Sequence, residues 1–146
     1  MSSPARTRPY RSTLRAEQAD RTRRRILEAA GETFAAHGYQ ATTIAAIARA
    51  AQVSTESVKS AGSKSELLVR AFEVTFAGTE GVDSLTDSDA AVGVLDLPDD
   101  ALVAAVVEVI AAANAVSSRL WTVLLGAALS DPGVDEALQT MLAHRR

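Results

Sequence analysis

Three consecutive polar residues, Thr55, Glu56 and Ser57, stand directly after Ser54 and ahead of Val58. Hydroxyl and carboxylate groups at the amino end of a short helix can reach base edges in a DNA groove, and a helix amino end with nearby lysines holds phosphate. Cations are in surplus upstream. Residues 1–25 carry eight arginines (Arg6, Arg8, Arg11, Arg15, Arg21, Arg23, Arg24 and Arg25) against only Glu17 and Asp20. Such a run is either a solvated tail or an arm that meets a polyanion, and charge by itself leaves both open.

Other chemistry is sparse. The chain has no cysteine, which removes disulfides, thiolate metal sites and thiol nucleophiles. Its two histidines, His37 and His144, are far apart, and His37 falls where a helix should end. Asp83, Asp87 and Asp89 invite a calcium loop, but the glycine turn and closing glutamate of such a loop are out of place. No zinc-protease helix, phosphate-cradling loop, dinucleotide fingerprint or serine elbow is present. No metal, no cofactor and no enzymatic activity are therefore expected.

The elements that must position the polar triplet come from a 146-residue chain that is 47% apolar and 23% charged, enough to build a core. The start, MSSPARTRPYRSTLR, lacks the apolar segment of a secretory signal, which predicts a cytoplasmic protein. The net charge of -3 conceals an asymmetry: residues 1–70 carry +6 and residues 71–146 carry -9. A basic half that meets a polyanion and an acidic half that does not is the simplest reading.

Apolar residues Ile26, Leu27, Ala30 and Phe34 recur at helical spacing and predict a helix from about residue 16 to residue 37, stopped by Gly38. Thr42 and Thr43 can cap a second helix through Ile44, Ile47 and Ala48 to about Ala51. After a turn at Gln52 and Val53, Ser54 can cap a third helix through Lys59. Ser63 and Glu66 have capping-box spacing, and Leu68, Ala71, Phe72 and Thr75 lie next on one helical face. Residues 78–100 form an acidic loop with one helical turn near Ala90. Residues 101–130 are almost continuously apolar, but Glu108 and Arg119 leave uncharged runs too short for a membrane span, so a pair of buried helices is expected. Asp131 and Pro132 open a last helix, Val134 to Arg146. The second and third helices have the spacing of a helix-turn-helix, a spacing that also occurs in ordinary helical packing.

At these residues the sequence resembles a known family. Residues 23–58, RRRILEAAGETFAAHGYQATTIAAIARAAQVSTESV, and residues 62–72, GSKSELLVRAF, resemble the TetR family of bacterial transcriptional regulators. Ile26, Ala29, Ala30, Phe34, Gly38, Tyr39, Thr42, Ile47, Ala48, Val53, Ser54, Lys64 and Leu67 fall in the family's order. The resemblance implies an all-α protein. Residues 1–22 would be a basic N-terminal arm and the start of the first helix, 23–70 a three-helix DNA-binding head, and 71–146 a partial helical body for effector binding and dimerisation. It places Thr42 and Thr43 on phosphate, and Thr55, Glu56 and Ser57 in the major groove with Glu56 accepting from a cytosine amino group. Lys64, Lys59 and Ser60 would lie at the backbone, and the arm with Arg8, Arg11 and Arg15 along the adjacent groove or phosphates. For Thr42 and Ser54, capping alone is an equally simple role. A small apolar effector would enter a pocket lined by some of Phe72, Phe76, Val106, Ile110, Asn114 and Trp121, a stripe that also reads as plain core.

Three departures from the family pattern bear on function. Gln52 stands where the turn usually has glycine. After Val58 the tyrosine is replaced by Lys59, Ala61 takes an aromatic position, and the segment is one residue short, which would rotate the residues beyond it by ~100° unless the turn absorbs the loss. Losing a buried aromatic costs ~3–5 kcal/mol against a total stability of ~5–15 kcal/mol. Finally, the body is short relative to the family, so apolar faces on residues 101–142 want a partner, a second copy or a longer paralogue. Two functions are consistent with this pattern: a dimeric regulator, acting as a repressor, that binds double-stranded operator DNA and is released by an effector, or a decayed relative that acts only by pairing with a full-length regulator.

Overall fold

The computed structural model describes residues 8–78, Glu80 and residues 93–144. Among the described residues there are six α-helices and no strand: α1 (Arg8–Ala41), α2 (Ile44–Ala51), α3 (Thr55–Ala61), α4 (Lys64–Ala77), α5 (Asp99–Ala128) and α6 (Pro132–Ala143). A 3-10 turn, Val94–Asp96, precedes α5. The all-α expectation and the order of the helices in the head are as the sequence predicts. The helical turn expected near Ala90, the acids Asp83, Asp87 and Asp89, and Arg6 lie outside the described residues.

The first helix starts at Arg8, about two turns before the predicted position. Pro9 occupies its first turn, where a missing N–H costs nothing, and the Arg, Glu, Gln and Ala residues after it are good helix formers. Arg11 and Arg15 therefore project from an exposed helix and not from an extended arm. At the other end Gly38 breaks the helix with φ 80° and ψ 175°. Its side-chain-free backbone turns Tyr39 inward, where the ring stacks on Phe34 at 5.9 Å.

One buried cluster joins the head to the body. Ile26, Leu27, Ala30 and Phe34 of α1 meet Ile47 of α2, Val58 of α3, and Leu67, Leu68, Ala71 and Phe72 of α4; Leu120 and Leu124 of α5 and Val134, Leu138 and Met141 of α6 extend the same core. The Ser63 and Glu66 capping box starts α4, with both reciprocal bonds present. Asp131 caps α6 by accepting from the amides of Gly133 and Val134, with Pro132 in the first turn as expected.

The stretch 101–130 departs from prediction in two ways. It is one helix and not two, because no proline and only Gly126 interrupts residues 99–130. It is also mostly uncovered. Ala113, Ser117, Leu120, Leu124 and Ala127 are buried, a strip repeating every three or four residues that faces the rest of the protein. Val103, Val107 and Val116 on other faces are more than half exposed. By length and composition α5 could cross a bilayer. Its carboxyl half instead packs into the protein core, and Glu108 and Arg119 lie within its length.

Candidate nucleic-acid interface

The seven residues of α3 divide cleanly between core and solvent. Val58 and Ala61 are buried, and Thr55, Glu56, Lys59 and Ser60 form an exposed row. Ser54 starts the helix by accepting from the amide of Ser57 at 3.1 Å, and the two hydroxyls lie 2.9 Å apart. Ser57 is consequently half-buried and occupied with the cap, while Thr55 and Glu56 before it are exposed. α3 closes at Ala61, and Gly62 follows with φ 152°.

The turn between α2 and α3 is tight. Gln52 adopts the left-handed conformation, φ 58° and ψ 46°, at the position that favours glycine. Its amide bonds to the Arg49 carbonyl at 3.2 Å, and the Val53 amide to the Ala48 carbonyl at 3.0 Å. Arg25 of α1 adds a guanidinium bond to the last carbonyl of α2, Ala51, at 2.6 Å. Cations at a helix carboxyl end favour the dipole, so α1 braces the short α2 from outside.

Thr43, exposed, caps α2 by accepting from the Ala46 amide at 3.0 Å. Thr42 does not face solvent. It is 1% exposed, and its hydroxyl donates to the Gly38 carbonyl at 2.7 Å, with the Thr33 carbonyl at 3.3 Å. The expected phosphate contact of Thr42 is thereby corrected: the kink at Gly38 turns this threonine into the core and leaves Thr43 as the cap. Lys64, at the start of α4, is half-buried, with Nζ 4.5 Å from the centroid of the Tyr39 ring. Arg15, Gln18 and Thr22 of α1 line a groove of about 490 Å³ with Ser57 and Ser60, so the amino-terminal half of α1 borders the outward face of α3.

Residues 26–71 match the family described as bacterial regulatory proteins, tetR family. The head is therefore similar to a TetR-family DNA-binding head. No curated protein and no solved structure matches the chain.

In this TetR-like head Thr43, Thr55, Glu56, Lys59 and Ser60 hold exposed positions, with Arg11 and Arg15 on the helical extension. The side chain of Arg8 lies outside the described residues. Sequence reasoning missed the roles of Arg23, Arg25 and Arg70, which spend their guanidinium groups on carbonyls inside the head. A run of arginines carries no local signal that separates solvated from bracing members, because the carbonyls they meet lie 9 to 38 residues away.

Behind the head, Phe72 and Phe76 of α4 and Asn114, Ser117, Ser118, Trp121 and Thr122 of α5 line a cavity of about 450 Å³. The rings form a continuous wall, Phe72 stacking on Phe76 at 5.6 Å and lying 5.0 Å from Trp121. Phe72, Phe76, Asn114 and Trp121 thus line one cavity. Val106 and Ile110 do not line this cavity. Ile110 and Val106 sit about one and two turns nearer the start of α5 than Asn114, and Ile110 is exposed.

Proposed function

We propose that this TetR-family regulator acts as a repressor that reads double-stranded operator DNA as a dimer and is released by a small, largely apolar effector. The observation that carries the reading is the outward row Thr55, Glu56, Lys59 and Ser60 on a folded, capped α3. In this reading Glu56 accepts from a cytosine amino group, and Thr55 contributes to base reading. Lys59, Ser60, Thr43, Lys64, Arg11 and Arg15 supply the sequence-independent grip on phosphate. The effector occupies the cavity beside Trp121, where it touches both α4, which begins at the DNA face with Lys64, and α5. The bare apolar face of α5 is covered by a second copy, which places two heads on two half-sites.

The experiment is a binding titration on the DNA flanking the gene across a salt series. A specific complex with a steep salt slope supports the proposal, since each phosphate contact releases counterions. Equal affinity for unrelated DNA overturns it. Lys59→Ala should weaken binding on all sequences, whereas Glu56→Ala should change the preferred base at one position. Light scattering of the purified chain should give twice the chain mass, and a stable monomer would remove the dimer.

A further inference from the structure

The last carbonyl of α3 is held by two arginines from two different helices. Ala61 O accepts from Arg70 Nη1 at 2.6 Å and from Arg23 Nη1 at 3.2 Å. Placing two cations at one helix end suits the dipole but sets them against each other. Glu80, past the end of α4, resolves this. Its carboxylate takes a two-bond pair from Arg23, Nε to Oε2 at 2.7 Å and Nη2 to Oε1 at 2.8 Å, and its Oε1 lies 3.9 Å from Arg70 Nε. Glu66 Oε1 also stands 3.9 Å from Arg70. Gly62 keeps the space open: a Cβ there would meet Arg70 Nη1 at 3.0 Å and Glu66 Oε2 at 3.1 Å.

The pairs are about one-third exposed, so their worth to global stability is small. Their worth to orientation is greater. A helix of seven residues does not hold itself, and α3 buries only Val58 and Ala61. Its amino end is set by Ser54 and its carboxyl end by the arginine pair. A two-bond guanidinium–carboxylate pair has a defined plane, so it sets direction as well as distance.

We propose that Glu80 is a positioning residue for DNA reading. Through Arg23 it holds the carboxyl end of α3, and this one residue beyond α4 thereby governs how the recognition helix is presented. This rests on the reading of α3 as the DNA-reading helix.

The test compares the full chain with Glu80→Gln and Arg23→Lys, and uses Glu28→Gln, which breaks the exposed pair with Arg24, as a control. The first measurement needs no DNA. Amide hydrogen exchange at Lys59, Ser60, Ala61 and Gly62 should quicken about five- to tenfold in Glu80→Gln and Arg23→Lys, with the amides of Ile47 to Ala51 unchanged. The second is the ratio of affinities for operator and unrelated duplex, which should fall about tenfold because base contacts need the helix direction while phosphate contacts do not. Affinity for unrelated duplex should hold or rise. Unchanged exchange at 59–62, or faster exchange spread evenly through the head, overturns the proposal, as does an unaltered affinity ratio. Were the unmodified chain to show no operator preference, the DNA reading would fall, and exchange alone would decide whether Glu80 holds α3.

Discussion

Tyr39 of the head donates its hydroxyl proton to Asp131 of the body, Oη to Oδ2 at 2.7 Å, across 92 residues of chain. Asp131 is at the same time the cap of α6, and Lys64 lies over the Tyr39 ring. One carboxylate therefore ties the end of α1, the start of α4 and the start of α6 together. The hydroxyl hydrogen bond from Tyr39, then the amides of Val134 and Gly133, hold the Asp131 carboxyl below the usual carboxylate range. Burial first, and the bond to Asp131 second, push the Tyr39 hydroxyl well above the usual phenol range, so it remains a donor throughout neutral pH.

This bond gives the stability a pH dependence of definite sign. A carboxyl whose folded value is depressed stabilises the fold above its ordinary unfolded value of ~4, and that stability is lost as pH falls through the folded value. Tyr39→Phe should lower the melting temperature at pH 7, and the gap to the unmodified chain should narrow toward pH 3. Calorimetry at the two pH values checks this, and a constant gap would count against the coupling.

The adjacent threonines should separate cleanly. Thr42→Val leaves a carbonyl without its buried donor and should cost about 1–2 kcal/mol in denaturant unfolding, with no change in DNA affinity of the folded fraction. Thr43→Ala removes an exposed cap, should cost about 1 kcal/mol, and should weaken DNA binding as well.

Gln52 holds a left-handed backbone that glycine adopts without Cβ strain. Gln52→Gly should therefore raise stability by up to about 1 kcal/mol, the relieved strain exceeding the extra chain entropy of glycine. Urea unfolding measures it, and a loss of stability would mean that the side chain has a compensating contact.

Trp121 is the one tryptophan of the chain and stands in the wall of the α4–α5 cavity. Uncharged aromatic ligands that bind there should change its fluorescence, and Phe76→Ala should weaken that binding about tenfold or more. Val106→Ala should leave it unchanged, since Val106 lies away from the cavity.

The caps were legible because capping is local. Ser54, the Ser63 and Glu66 box, and Asp131 with Pro132 each satisfy amides within three residues, so their spacing alone located the helix starts. Ile26, Phe34 and Leu68 were legible as core because a helix repeats its buried face every three or four residues. In the cavity wall, Phe72 with Phe76 and Asn114 with Trp121 stood on common faces for the same reason, whereas Val106 and Ile110 shared the spacing and lie outside the lining.

Local pattern, then, determined where α2, α3, α4 and α6 begin and which helix faces are apolar. Tertiary structure decided the rest: that Thr42 turns inward while Thr43 does not, that Arg23, Arg25 and Arg70 brace carbonyls and do not join the exposed row, that α5 is one largely bare helix, and that Tyr39 reaches Asp131. The physical reason is range. Hydrogen-bond caps and helical periodicity act over a few residues, but a buried hydroxyl or a guanidinium finds its partner only after the backbone has brought distant segments together.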